Sequence, residues 1–151
     1  MKESPQLRQV EERMRAGRIT RDGFLGTDRR PLAQILDEDA NTVSRLGLTH
    51  EQIADRLQHF MDEGAGGLGT TVVVDDIFEV RVESVRGMLP CPWPGHGLFR
   101  KTNVYLKNTE TGEEMVYTAM QVHTISAHGF YEGRGSPYRI DPVRAKRILG
   151  L

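Results

Sequence analysis

The chain contains very little cysteine and no long apolar segment. Its 151 residues include one cysteine, Cys91, so no disulfide can form within the chain and the fold needs no oxidising compartment. Its apolar runs are only a few residues long, far short of the roughly 20 that a membrane-spanning helix requires. The polar residues 1–4 lack the apolar region of a secretory signal. These absences favour a cytoplasmic protein without a membrane segment.

The chain also lacks an excess of either charge, although its charges are unevenly placed. A formal net charge of −1 excludes the global basic excess of a generic nucleic-acid binder. Residues 49–83 hold eight acids against two arginines, a net of −6, whereas residues 130–151 hold five bases against two acids, a net of +3. Two solvated surfaces explain this asymmetry, and self-association of opposite patches into a homodimer is an alternative explanation.

The length of the chain predicts a single domain over residues 1–151. Helical patterns occupy about residues 1–63, and strand patterns occupy about residues 70–151. Between them lies a glycine-rich stretch, 64–69, which follows a helix and precedes a strand. This order is the reverse of the one that aims backbone amides at a phosphate, so the stretch is interpreted as a helix end and a hinge.

Three helices are predicted in the first part of the chain. Gln6 to Ala16 is weakly amphipathic and ends at Gly17. A second helix begins at Pro31, and Gly47 ends it. A third runs to about Asp62 and opens with Thr49 and Gln52 in the spacing of a capping box.

In the second part of the chain, apolar and polar residues first alternate as they do in strands, and helical patterns then follow. Strands are predicted over residues 70–74, 77–85, 102–107 and 114–118, with a fifth short one at 138–140. Thr118 with Gln121 matches a second capping box, which predicts a helix from Ala119 to His128 that ends at Gly129. Asp141 followed by proline predicts a terminal helix. The fold expected is α+β: N-terminal helices packed on a mostly antiparallel sheet of about four strands, with a short C-terminal helix.

Residues 89–96 form the least expected segment of the chain by composition. They hold the only cysteine, the only tryptophan and three of the seven prolines. Each proline removes a backbone donor and restricts the residue before it, which excludes a helix or a central strand. The segment is therefore predicted to be a rigid loop that carries a thiol and an imidazole.

Four side chains have the chemistry of zinc ligands: Cys91, His96, His123 and His128. A thiolate with neutral imidazoles suits a tetrahedral zinc ion. His123 and His128, however, lie about 140° apart around a regular helix. Both are therefore expected to reach one metal only if the backbone breaks between them.

Other interpretations stay open beside zinc. Cys91 has the chemistry of a nucleophile if a histidine serves as its base. Arg134 and Arg139 are candidates for binding an anionic group of a cofactor or ligand, and the basic residues Arg144, Lys146 and Arg147 are candidates for a nucleic-acid interface. His50 and His59 are expected to be surface residues.

No motif in the chain specifies a reaction. The leading hypothesis is a small cytoplasmic protein that binds a small ligand or a transition metal, with metal-dependent catalysis as its extension. A nucleic-acid-binding module and a non-catalytic homodimer are the alternatives.

Overall fold

A computed structural model of the protein describes residues 2–151, and it confirms the α+β class. The elements in chain order are α1 (Pro5–Arg13), α2 (Leu32–Arg45), α3 (His50–Ala65), β1 (Val72–Val74), β2 (Phe78–Pro90), β3 (Leu98–Asn108), β4 (Glu114–Thr118), α4 (Ala119–His128) and α5 (Pro142–Leu149). The four strands form one antiparallel sheet in the order β1-β2-β3-β4.

The two central strands are longer than their sequence pattern predicts. β2 and β3 stay paired from Phe78 with Asn108 out to Pro90 with Leu98, with an irregularity between Val85 and Met88. Because β1 and β4 are short, the far ends of β2 and β3 form a two-stranded arm. Proline is tolerated at the end of this arm because its missing N–H does not remove a hydrogen bond from the centre of the sheet.

One face of the sheet is covered by α3, and a glycine allows the close approach. Phe78, Val80 and Val82 are buried on this face, as their alternation in the sequence predicts. A Cβ on Gly64 would lie 2.5 Å from Val80 Cγ1, so only glycine lets the helix lie this close to the strand. The helix consequently continues to Ala65, and the prediction that it ends near Asp62 is wrong.

The caps of the last two helices are confirmed. The Thr118 and Gln121 side chains complete a capping box at the start of α4, and Gly129 ends that helix in the left-handed conformation. Asp141 caps α5 by accepting from the Arg144 N–H at 3.1 Å. No strand forms at residues 138–140 of the described chain. There the Arg139 N–H donates to the Ser136 carbonyl and the Ile140 N–H to the Tyr131 carbonyl.

The buried apolar side chains form two clusters, and α4 contributes to both. The larger cluster lies between α3, the sheet and α5, and includes Val122 and Ile125 of α4. The second lies between α1 and α2 and includes Met120 of α4. None of the helices within residues 2–151 combines the length and apolar character needed to cross a bilayer.

Candidate metal centre

The turn between β2 and β3, residues 91–97, is tied to itself by backbone hydrogen bonds, and we call it the proline loop. The Cys91 N–H donates to the Gly97 carbonyl at 3.0 Å, and the His96 N–H donates to the Trp93 carbonyl at 3.2 Å. Gly97 has a φ of 107°, a conformation that side chains other than glycine rarely adopt. The proline loop therefore places Cys91 at a defined position at the end of the arm.

A helix distant in sequence anchors the proline loop. Arg13, the last residue of α1, donates from Nε to the Pro92 carbonyl at 2.8 Å and from Nη2 to the Cys91 carbonyl at 3.0 Å. The guanidinium thus holds two consecutive peptide units through two of its fixed donors. This contact spans 78 residues of sequence, and no local pattern predicts it.

Both candidate histidine ligands of the helix lie on α4. The helix continues without a break through His128, yet the ring centroids of His123 and His128 are 5.2 Å apart. The unbroken helix therefore brings the two rings close together without a break in the backbone, and their binding of one common metal stays a prediction. Helical phase gives the direction of each Cα–Cβ bond, but each imidazole extends beyond the helix surface, and His128 lies in the last turn.

Three of the four predicted ligands converge. One donor atom each from Cys91, His123 and His128 lies within 4.8 Å of the other two. The Cys91 Sγ is 3.6 Å from the His128 Nε2. Metal–ligand bonds of roughly 2.3 Å to sulfur and 2.0–2.1 Å to nitrogen at a tetrahedral angle place the two donors about 3.6 Å apart. The observed separation matches that value, and it is also the length of a hydrogen bond between the thiol and the imidazole.

His96 lies outside this group of three. Its side chain is exposed on the proline loop, and it does not join the convergent donors found among residues 2–151. Its ring centroid is nevertheless 4.7 Å from that of His128. His96 is therefore a neighbour of the centre rather than one of its donors.

Aromatic rings enclose the two imidazoles. Trp93 stacks on His128 with ring centroids 3.9 Å apart and an interplanar angle of 4°. Phe130 packs edge-on against Trp93. Phe99 stacks on His123 with centroids 4.4 Å apart. Each imidazole therefore has one face packed against an aromatic ring, and both histidines are half-buried.

The enclosure lowers the basicity of the imidazoles. Burial, together with the neighbouring His123 and His96, lowers the pKa of His128 to about 4. Burial also lowers the pKa of His123. Both rings are therefore neutral near pH 7, and a neutral imidazole is the form that binds a metal. The Nε2 of His123 is buried and has no hydrogen-bond partner within the described residues, a costly state that a bound ion can relieve.

The same surroundings disfavour Cys91 as a nucleophile. Burial raises the pKa of its thiol, and the residue is 1 % exposed. A nucleophilic cysteine needs an accessible, stabilised thiolate. Cys91 has a histidine within reach, but it lacks that exposure, whereas a metal ion can itself displace the thiol proton.

Arg134 and Arg139, predicted to bind an anion, line one cavity of about 480 Å³ with Glu38 and Asp39. The Arg139 guanidinium is held by both carboxylate oxygens of Asp39, at 2.6 and 2.8 Å, and by the Glu132 carbonyl. Arg134 is exposed, with its guanidinium 3.8 Å from Glu38. Asp39 and Glu38 would compete with a bound anion for the two guanidinium groups. The anion site therefore stays a prediction.

The basic residues of α5 also have partners within the chain. Arg147 forms a two-point ion pair with Glu113 at 2.6 and 2.8 Å. Arg144 donates to the Glu114 carbonyl, and Lys146 donates to the Leu46 carbonyl at 3.1 Å. Nucleic-acid binding stays a prediction that these contacts do not favour.

The two histidines of α3 lie outside the convergent group. His59 is a surface residue as expected, with its side chain 36 % exposed, whereas His50 is half-buried. The His50 Nδ1 pairs with the Tyr131 hydroxyl at 2.8 Å, and the His59 Nε2 lies 2.9 Å from Asp75.

Sequence reasoning missed the residues that hold the centre together. Arg13 anchors the proline loop and Phe99 stacks on His123. Phe99 lies in β3. The alternation of residues along a strand indicates which face of the sheet a side chain lies on, but not which residue it contacts. For Arg13, which looks like an ordinary charge at a helix end, the sequence contains no signal.

The chain has no match among family models, curated proteins or solved structures.

Proposed function

We propose that this protein binds a transition-metal ion, with Zn²⁺ as the expected ion, through Cys91, His123 and His128. The observation that carries the proposal is the convergence of these three donors, with the sulfur and the His128 nitrogen 3.6 Å apart. The neutral imidazoles and the unpartnered His123 Nε2 support it. A reducing cytoplasm, proposed as the location, would keep Cys91 available as a ligand.

The donor set favours zinc over the hard divalent cations. Thiolate and imidazole are the ligands that zinc prefers, whereas Mg²⁺ and Ca²⁺ take oxygen ligands. A set of one cysteine and two histidines also resembles the three protein ligands of catalytic zinc sites, which leave one position for water or substrate.

We assign the fourth position to a water molecule rather than to His96. His96 is exposed and lies outside the convergent group, while the other three side chains are held by helix and loop contacts. An ion bound in this way would supply a Lewis acid and a coordinated water whose pKa is lowered to about 7. Hydrolytic or hydration chemistry is the reaction class that such a centre would carry.

The first test is metal binding by protein purified without a histidine tag and freed of metal with a chelator. Titration with Co²⁺ should give one ion per chain, with the strong visible bands of a tetrahedral site and a thiolate-to-cobalt charge-transfer band. Zn²⁺ should then displace the cobalt. We expect Cys91→Ser, His123→Ala and His128→Ala each to weaken binding by roughly 100-fold or more, since second-sphere changes alone cost 10–100-fold.

Two histidine variants serve as matched controls. His59→Ala removes an imidazole that pairs with Asp75 away from the centre, and it should leave affinity unchanged. His96→Ala should also leave it unchanged if water occupies the fourth position. A 100-fold loss of Co²⁺ affinity in His96→Ala would show that His96 is the fourth ligand and that the site is a closed, structural one. Far less than one ion per chain, or cobalt bands without charge transfer from sulfur, would contradict the metal centre.

A further inference from the structure

The helix α1 is attached to the rest of the chain at three places. Its apolar residues Leu7 and Val10 are buried in the second apolar cluster. The Glu11 Oε1 accepts from the Leu32 N–H, at the start of α2, at 2.6 Å. The third attachment is the pair of hydrogen bonds from Arg13 to the proline loop. The helix therefore joins α2 to the loop that carries the donor thiol.

The helical structure of α1 depends on these attachments. The helix has nine residues, and a helix of this length is marginal in water without tertiary contacts. When its apolar face leaves the second cluster, the helix therefore loses its own hydrogen bonds as well. The Arg13 guanidinium then leaves the proline loop, so that docking of α1 and attachment of the loop are one event.

Arg13 holds the backbone of the donor Cys91 from outside the proline loop. The Cys91 N–H is bonded within the loop, to the Gly97 carbonyl, whereas the Cys91 carbonyl accepts from the Arg13 Nη2. Both backbone polar groups of Cys91 are thus held, one by the loop and the other by α1. The Arg13 Nε also holds the next carbonyl, that of Pro92. The position of the thiol therefore depends on α1.

The apolar cluster that includes α1 also holds the arm and the proline loop. Leu89, Trp93 and Phe99 pack against this second cluster. Trp93 and Phe99 are the rings that stack on His128 and His123, the two donors of α4. Undocking of α1 removes part of the surface on which these rings pack. It therefore loosens the thiol relative to both imidazoles.

We propose that α1 regulates the metal centre: the centre binds its ion tightly only while α1 is docked, and Arg13 is the positioning residue that transmits docking to Cys91. This inference rests on the metal centre proposed above. Loss of the groups that orient a metal ligand typically weakens metal affinity 10–100-fold. Because coupling between two binding equilibria is reciprocal, the bound ion in turn strengthens the docking of α1.

The first test uses metal-free protein and the only tryptophan of the chain, Trp93. Arg13→Ala should raise the acrylamide quenching constant of its fluorescence at least twofold, because the proline loop is no longer held by α1. Arg15→Ala removes an exposed base that pairs with Glu12. It is the matched control and should leave quenching unchanged. Unchanged quenching in Arg13→Ala would overturn the proposal.

The second test measures Co²⁺ affinity through the thiolate-to-cobalt charge-transfer band, at a temperature where each variant is folded. Arg13→Ala should weaken affinity at least tenfold. Arg13→Lys should recover part of the loss, because an ammonium group can donate to one of the two carbonyls but lacks the fork of a guanidinium. Thr49→Ala removes the cap of α3, so it lowers stability without touching the loop and should keep the wild-type affinity.

The reciprocal effect is measured by amide hydrogen exchange in the wild-type protein. Saturating Zn²⁺ should slow exchange in α1 at least tenfold, because opening of the helix then requires loss of the favoured metal geometry. Cys91→Ser should show no such protection by zinc. Exchange in α1 that does not respond to zinc in the wild type would contradict the coupling.

The outcomes separate this inference from the metal centre itself. If the wild-type protein binds no cobalt, the metal centre is overturned and the coupling falls with it. If the wild type and Arg13→Ala bind cobalt equally, the coupling alone is overturned and the metal centre stands. If Arg13→Ala does not fold, the exchange of α1 in wild-type protein with and without zinc decides the question.

Discussion

Glu132 illustrates how a single residue can make stability depend on pH. Burial raises the pKa of its carboxyl from 4.5 to about 7, while the Ser136 hydrogen bond and the Arg139 charge oppose that rise. The folded pKa is above the unfolded one, so the folded protein holds the proton more tightly. The contribution of Glu132 to stability is then fully present below about pH 4.5 and is lost as pH rises through about 7.

Glu132→Gln should therefore stabilise the protein more at alkaline than at acid pH. The amide is neutral at all pH values and keeps an oxygen that can accept from Ser136. We expect the gain in the free energy of unfolding to be larger at pH 8 than at pH 5 by about 2 kcal/mol, as the size of the shift implies. Urea denaturation at the two pH values measures it.

The control for this experiment is Glu113, a glutamate whose pKa is shifted in the opposite direction. The hydrogen bond from Arg147 holds the pKa of Glu113 below its ordinary value, so Glu113→Gln should not stabilise the protein at pH 8. An equal effect of Glu132→Gln at pH 5 and pH 8 would show that the Glu132 carboxyl is not buried as described.

Two helices of this protein start with the same capping box, and this permits a matched comparison at the level of the element. Thr49 caps α3 and Thr118 caps α4. Replacing either threonine with alanine removes an acceptor for a backbone N–H, which costs typically about 1 kcal/mol. Only α4 carries the donors His123 and His128.

Thr118→Ala and Thr49→Ala should thus lower the free energy of unfolding by similar amounts but differ in metal binding. We expect Thr118→Ala alone to weaken Co²⁺ affinity severalfold, because fraying of the first turn of α4 loosens the position of His123. Cobalt titration and urea denaturation of both variants measure this. Equal cobalt affinity in both variants would show that α4 positions its histidines without its cap.

A buried ion pair joins α2 to the segment that follows α4. The side chains of Arg139 and Asp39 are 14 % and 6 % exposed, and they meet through two short hydrogen bonds. Removing one partner leaves a buried charge unpaired, which costs about 3–5 kcal/mol.

Asp39→Ala should accordingly be among the most destabilising single changes in α2. Adding Arg139→Leu to it should restore part of the lost stability, because the unpaired charge is removed with its partner. Denaturant unfolding of the two single variants and the double variant tests this. Additive losses in the double variant would mean that the two groups do not interact.

At the scale of the whole molecule, the proposed metal centre would join the end of the β2–β3 arm to α4. Cys91 ends the β2–β3 arm, and α4 contributes to both clusters. An ion that binds the folded chain at 100 times its Kd stabilises it by about 2.7 kcal/mol. For a chain of this size that corresponds to a rise in Tm of roughly 5–10 °C.

We therefore expect Zn²⁺ to raise the Tm of metal-free protein by that amount and Mg²⁺ to leave it unchanged. Cys91→Ser should remove the effect of zinc. Thermal unfolding with each ion, in wild type and variant, measures the shift. A zinc shift that survives in Cys91→Ser would place the ion elsewhere on the chain.

The features that the sequence predicts correctly depend on neighbours along the chain. The capping boxes at Thr49 and Thr118, the end of α4 at Gly129 and the alternation of Phe78, Val80 and Val82 each rest on residues a few positions apart. Local backbone geometry decides such features, so their spacing is visible in the sequence. The extension of β2 and of α3 was missed, because pairing with β3 and packing on Val80 decide where these elements end.

The sequence by itself therefore determined the α+β class, the main helices and strands, and the chemical types of the candidate ligands. Only the tertiary structure decided that Cys91 meets His128 across 37 residues, that His96 lies outside their group, and that Glu132 is buried. The physical reason is that helical phase and strand alternation describe directions around one element. Which side chains share a site depends on how the arm, the proline loop and α4 pack together, and that packing is fixed by distant contacts such as those of Arg13.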